Sequence, residues 1–168
     1  MTSPRRQRKA FLGLAMLAGL ALSGGHLAAL ATFAAAAPAD RTLMDSHTGL
    51  AISGFDPVAY FTDGAAKAGR PDLELSQSGA VWRFRNEGNK AAFAEHPDVY
   101  MPQFGGYDPV AIARGASVPG HPLFWAVAGK RLYLFYSDQA RAAFVADPGR
   151  LIEAAERKWP DVARTIGR

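Results

Sequence analysis

Hydrophobic and polar positions recur in the same order twice along this chain. Within Val81 to Arg85 apolar and basic residues alternate from Trp82 onward, the two-residue period of a strand with one buried face, and a Ser78-Gly79 turn joins them to Leu73-Glu74-Leu75. The pattern returns in a more apolar form: Phe124 to Val127, a glycine turn at residues 128–130, then Leu132 to Tyr136. Aromatic and β-branched side chains bounded by glycine predict two hairpins. Each is followed by a helical pattern, with Asn86 and Ser137 as natural N-caps and with Ala91, Ala92, Phe93 matching Ala142, Ala143, Phe144 ahead of Pro97 and Pro148. Each is also preceded by one hexapeptide in two copies, GFDPVA at Gly54 to Ala59 and GYDPVA at Gly106 to Ala111. An ordered ladder of matches with a single one-residue slip points to one duplicated unit, not to two unrelated domains.

In both hexapeptides a proline follows an aspartate. The aspartate can accept free N–H groups at a helix start, and the proline has a preset φ and lacks only an N–H that would be orphaned anyway. The motifs predict short helices over residues 57–63 and 109–114, stopped by Gly64 and Gly115. After the second hairpin and its helix, Asp147-Pro148 opens a further helix reaching Trp159-Pro160, whereas the first repeat leaves through residues 98–106. The expected fold class is α+β: one small antiparallel sheet made from the two hairpins, with short helices packed on one face. The domain spans residues 49–162, with repeats at about 54–100 and 106–151, a flexible lead-in over 40–48 and a tail over 163–168.

Composition changes this picture at the N-terminus. Arg5, Arg6, Arg8 and Lys9 precede an apolar stretch and the small residues Ala37-Pro38-Ala39, the layout of an export signal cleaved before Asp40. Either the general or the twin-arginine route suits it, and an uncleaved membrane anchor is the alternative. Both place the globular part outside the cytoplasm, in the periplasm or beyond. Those four basic residues account for the whole net charge of +4, so the remainder is balanced and carries no electrostatic footprint for nucleic acid. A protein of the cell envelope is a candidate partner, and membrane contact would come only through an uncleaved N-terminal segment. With no cysteine in the chain, disulfides, thiolate ligands and thiol nucleophiles are excluded, and stability must come from packing.

The candidate chemistry is sparse. His47, His96 and His121 lie outside the signal, none at helical metal-ligand spacing from another ligand. His96 suits a helix C-terminus. His121, in the stiff Pro119-Gly120-His121-Pro122 loop, is the candidate ligand, with Asp108 as its partner. Asp56 and Asp108 read first as caps. Alternatively they form a pseudo-symmetric carboxylate pair able to bind a hard cation or share a proton. Met44 and Met101 are isolated, Met101 reading as packing beside Tyr100, and no nucleophile motif frames a serine. Tyr107, Asp108, His121, Asp56 and Gln77 are the candidate binding residues, and a divalent metal ion is the candidate cofactor. No catalytic pair can be named, so an enzyme is the least favoured class.

The segments GFDPVAYF, VWRF, NKAAFAEHPDVYMPQFGGYDPVAIARG, GHPLFWAVAGKRLYLFYS and AERKWPDV together resemble the exported bacterial proteins that carry a YHS domain, over about Gly49 to Val162. The resemblance implies a small module of treble-clef-like character and a role in metal handling more than in catalysis, since related modules occur beside copper-transporting ATPases. It also implies a histidine and a cysteine where this chain has Gln77 and Asp108. An amide and a carboxylate favour harder ions than the soft pair they replace, which weakens the copper expectation.

Overall fold

The computed structural model describes residues 42–166. In chain order the first repeat supplies α1 (Ala59–Thr62), the hairpin β1 (Arg70–Gln77) and β2 (Ala80–Phe84), α2 (Glu87–Glu95) and α3 (Pro97–Tyr100). The second supplies α4 (Pro109–Ile112), β3 (His121–Ala128), β4 (Arg131–Phe135), α5 (Asp138–Ala146) and α6 (Pro148–Thr165). A tight 3-10 turn precedes each Asp-Pro motif, Ile52–Gly54 and Gln103–Gly106. Residues 1–41, including the export signal or anchor, lie outside the described residues. Among those described, no helix is long and apolar enough to cross a membrane.

The duplication extends down to single hydrogen bonds. Both hairpins turn through two residues with positive φ, Ser78 (52°) and Gly79 (78°), then Gly129 (56°) and Lys130 (60°), the mirror-image turn geometry that matches strand twist. In both, the strand register shifts near its open end, between Arg70 and Glu74 and between His121 and Trp125. Asn86 and Ser137 cap α2 and α5 by accepting the N–H groups of Asn89 and Ala140. Gly64 and Gly115 stop the short helices with φ of 60° and 85°. Residues 42–48, expected to be loose, are pinned: Leu43 N–H donates to Gly105 (2.7 Å), and the Asp45 carboxylate closes a turn by accepting from His47 and Thr48.

The class is α+β, but the two hairpins stay as two separate two-stranded sheets and do not join into one. The strand β4 differs from β2 in being apolar on both faces. Leu132 and Leu134 enter a core with Trp82, Phe84 and Phe93 of the first repeat, while Tyr133 and Phe135 enter a second core with Phe144, Ile112 and Trp159. A strand already covered on both faces acts as the partition between two cores, and the helices therefore pack on two faces instead of one. In β2 only one face is buried: Arg83 stands where β4 has Leu134 and pairs with Glu74 at 2.8 Å.

α6 also differs from expectation, continuing through Pro160 to Thr165, so residues 163–165 are helix instead of tail. Pro160 is exposed, and the buried stripe of Leu151, Ala155, Trp159 and Val162 runs unbroken past it. Tertiary burial of that stripe outweighs the cost of about 3 kcal/mol that an interior proline carries.

Candidate functional site

Both aspartates are buried side chains that fold the chain around themselves; Asp108 caps α4 as expected, whereas α1 begins only at Ala59 with Val58 at its N-cap, so that Asp56 holds the turn leading into it. Asp56 is fully buried. Its Oδ1 accepts from Val58 (2.8 Å) and Ala59 (3.3 Å) at the start of the α1 turn, and its Oδ2 accepts from the Arg85 backbone (2.8 Å) and from the Asn89 side-chain amide (2.7 Å). One carboxylate thus ties the α1 turn to the end of β2 and to α2. Four N–H donors hold the buried charge without a cation in contact with it, since the Arg85 guanidinium turns outward to Asp63 at 2.8 Å. The chain also brings Tyr60 close: its hydroxyl donates to the Pro122 carbonyl at 3.0 Å, and burial, with the Asp56 charge second, pushes its pKa well above the usual phenol range.

Asp108 is 2% exposed and repeats half of this arrangement. Oδ1 accepts from Val110 (2.8 Å) and Oδ2 from the Tyr136 backbone (3.0 Å), the positions matching Val58 and Arg85. Among the described residues no side-chain donor reaches Asp108, and the bond matching that of Ala59 N–H is not made. Asn89 sits three residues after its cap, Asn86, and the residue at that place after Ser137 is Ala140. Beside Asp108 the surface opens into a pocket of ≈ 320 Å³, walled by Val110, Ala111, Val118, Ala140 and Ala143 and rimmed by Arg114, Tyr136, Ser137 and Gln139. Arg114 is exposed and makes no ion pair among the described residues, whereas the first repeat closes the matching edge with Arg85 and Asp63.

The remaining candidates do not join this pocket. His121 is exposed at the start of β3, where its Nδ1 accepts from Leu123 N–H (3.2 Å) and its ring packs on Phe124, so its polar contacts are local. It neither lines the Asp108 pocket nor bonds to Asp108. Asp56 and Asp108 share no partner: each is held by donors of its own repeat, so they do not form the carboxylate pair that the pseudo-symmetry suggested. Tyr107 is buried against Trp159, and Gln77 ends β1, its carbonyl accepting from the Trp82 indole. His96 sits exposed at the C-terminal cap of α2, His47 in the exposed Asp45 turn, and Met101 packs against the first core beside Tyr100. Among the described residues no group of three His, Asp or Glu side chains is arranged to hold a metal ion.

The residues that define the pocket, Ala140, Arg114 and Asn89 as the filled counterpart, were not singled out in the sequence. The signal was present. Aligning the repeats on their caps sets Asn89 against Ala140, but its meaning depends on knowing that Asn89 reaches Asp56. The class defined by these features is an internally duplicated α+β module with two buried carboxylates, one held by four donors and one by two beside a pocket. No family model, curated protein or solved structure matches the chain.

Proposed function

We propose that this chain is a non-catalytic binding module of the cell envelope, akin to the exported YHS-domain proteins, and that it binds a small ligand in the pocket beside Asp108. The observation that carries the reading is the asymmetry of the duplication. One copy of the carboxylate centre is completed by the Asn89 side chain, and the other, held by two backbone donors, lies beside a concave, mostly apolar space with a few polar groups at its rim, the usual composition of a ligand site. The basic and apolar N-terminus supports export. A connection with metal handling rests on the resemblance alone. A protein-partner role is the second reading. It is favoured by β3, which pairs only with β4 and leaves Leu123 and Val127 exposed along that strand.

The test is a titration of isotopically labelled full chain with a set of small polar fragments, followed by backbone amide resonances. The binding reading expects saturable shifts concentrated at Val110, Ala111, Tyr136 and Ala140. Shifts confined to β3 in the presence of an envelope extract, with silence at the pocket, would replace it with the partner reading.

A further inference from the structure

The filled centre shows what the open one accepts. In the first repeat the second carboxylate oxygen takes two donors, the Arg85 backbone N–H and the primary amide of Asn89 at 2.7 Å; in the second it takes only the Tyr136 backbone N–H. Much of the surrounding geometry is shared: the first carboxylate oxygen accepts from Val58 in one repeat and Val110 in the other, although only Asp56 also takes Ala59 N–H, and the same backbone hydrogen bond enters each motif, Asp56 N–H to Lys67 (2.8 Å) and Asp108 N–H to Val118 (2.9 Å). The Asn89 amide is therefore the chain's own example of a group that satisfies this carboxylate from the side on which the pocket opens.

We propose that the Asp108 pocket binds a small molecule with a primary carboxamide head and an anionic tail, the amide donating to the Asp108 carboxylate and the tail meeting Arg114. The proposal rests on the reading of the chain as a binding module and names its ligand class. A neutral amide fits better than an ammonium group because the walls are Val110, Ala111, Val118, Ala140 and Ala143, and an ammonium would lose far more hydration on entering them. Gln139, exposed at the rim, can donate to the amide oxygen. Arg114 supplies the one guanidinium lining the pocket, suited to a carboxylate at the outer end. The pocket lies at the small end of the range of ligand sites, which limits the stem to a few methylene groups.

Succinamate is the probe, with succinate as the control lacking the amide and propionamide as the control lacking the carboxylate. In titrations of the full chain, succinamate is expected to shift Val110, Tyr136 and Ala140 with a Kd on the order of 1 mM, as suits a ligand of so few atoms. Each control should bind about tenfold more weakly or worse, a single hydrogen-bonded or charged contact being worth that factor. Ala140→Asn, which places in the pocket the group that Asn89 supplies in the first repeat, should abolish succinamate binding while the rest of the spectrum stays folded. Arg114→Ala should reduce succinamate to the level of propionamide. Equal binding of succinamate and succinate, or undiminished binding to the Ala140→Asn variant, overturns the proposal. Fragments of other chemistry binding at the pocket while succinamate does not would overturn it and leave the binding reading standing. A pocket silent to every compound would remove both.

Discussion

The two repeats solve one problem, a buried aspartate at the mouth of a short helix, with different degrees of completeness. Asp56 is enclosed by Val58, Ala59, Arg85 and Asn89, and the helix behind it is locked further by Tyr60, whose ring meets Trp125 edge-on at 5.2 Å. Asp108 keeps only the two donors that the backbone supplies, and Ile112 stands where α1 has Tyr60. The helix behind Asp108 is instead held by α6, whose Trp159 packs against Tyr107 and Phe104. The difference teaches that the first repeat stabilises itself through polar closure, while the second relies on an added apolar helix and holds its carboxylate with two backbone donors beside a pocket.

If that contrast is right, the largest effect comes from removing the enclosed carboxylate. Asp56→Ala leaves four donors behind, the Val58, Ala59 and Arg85 N–H groups and the Asn89 amide, in a site shut off from water. With charge-assisted bonds worth about 1.5–3 kcal/mol and stranded donors costing more, a loss of about 4 kcal/mol or more is expected. Asp108→Ala strands two donors beside a pocket that water can enter, and about 2 kcal/mol is expected. Urea unfolding monitored by tryptophan fluorescence measures both. Equal losses would mean that the open and closed centres are energetically the same.

Tyr60 provides the next test, because its hydroxyl belongs to one repeat only. Tyr60→Phe removes the bond to Pro122 and is expected to cost about 1–2 kcal/mol at neutral pH. The pH dependence has a definite sign. The folded-state pKa is raised, first by burial and then by Asp56, so the contribution of the neutral hydroxyl is fully present below the unfolded phenol value of about 10 and is lost as pH rises from there through the higher folded value. Native stability should therefore fall with alkali above about pH 10, more steeply than that of the Phe variant. Tyr133, whose pKa is raised by burial in the second core, keeps a residual slope in both proteins. Identical alkaline slopes would show that Tyr60 is not held as described.

Much of this could be read from the residues. The caps, the hairpin turns and the glycine stops are local features, and local rules found them: Asn86, Ser137 and both Asp-Pro pairs do what their chemistry predicts. A single joined sheet does not form because pairing between hairpins is decided by contacts between distant parts of the chain, which local rules do not see. The unbroken apolar run from Leu132 to Phe135, set against Trp82-Arg83-Phe84, marks β4 as covered on both faces. The helix through Pro160 was underestimated for a related reason, since propensity sees the proline but not the groove that Val162 fills. The site was legible in half. The sequence marks Asp108 but offers His121 and Gln77 as its companions, because ligand chemistry is read from the side chains that are present. The pocket is defined by one that is small, Ala140, opposite a matching one that is long, Asn89.

Asn89→Ala turns the first centre into the second and should cost about 1–2 kcal/mol by stranding one lone pair of a buried carboxylate. The same experiment sharpens the ligand question, since the cavity it creates beside Asp56 should admit a small amide. Rescue of the variant's melting temperature by propionamide, with no effect on the native protein at that concentration, is the expected outcome. An unaltered melting temperature on making the variant would show that the Asn89 amide contributes nothing to the closed centre.

The smallest effect is the converse, and it is the most demanding because it predicts a gain. Ala140→Asn sets a primary amide three residues after the Ser137 cap, the geometry from which Asn89 reaches Asp56. Asparagine in a helix costs about 0.5 kcal/mol relative to alanine, and a hydrogen bond to a buried carboxylate contributes about 1.5–3 kcal/mol, so the balance is a stabilisation of about 1 kcal/mol or somewhat more. The sign depends on Asp108. In an Asp108→Ala background the helix penalty remains and the bond is gone, so the same substitution should destabilise by about 0.5 kcal/mol. A double-mutant cycle read by urea unfolding isolates this coupling from any general effect at the surface of α5. A coupling of zero would mean that the carboxylate is already satisfied where the pocket opens, and the second repeat would then be as closed as the first.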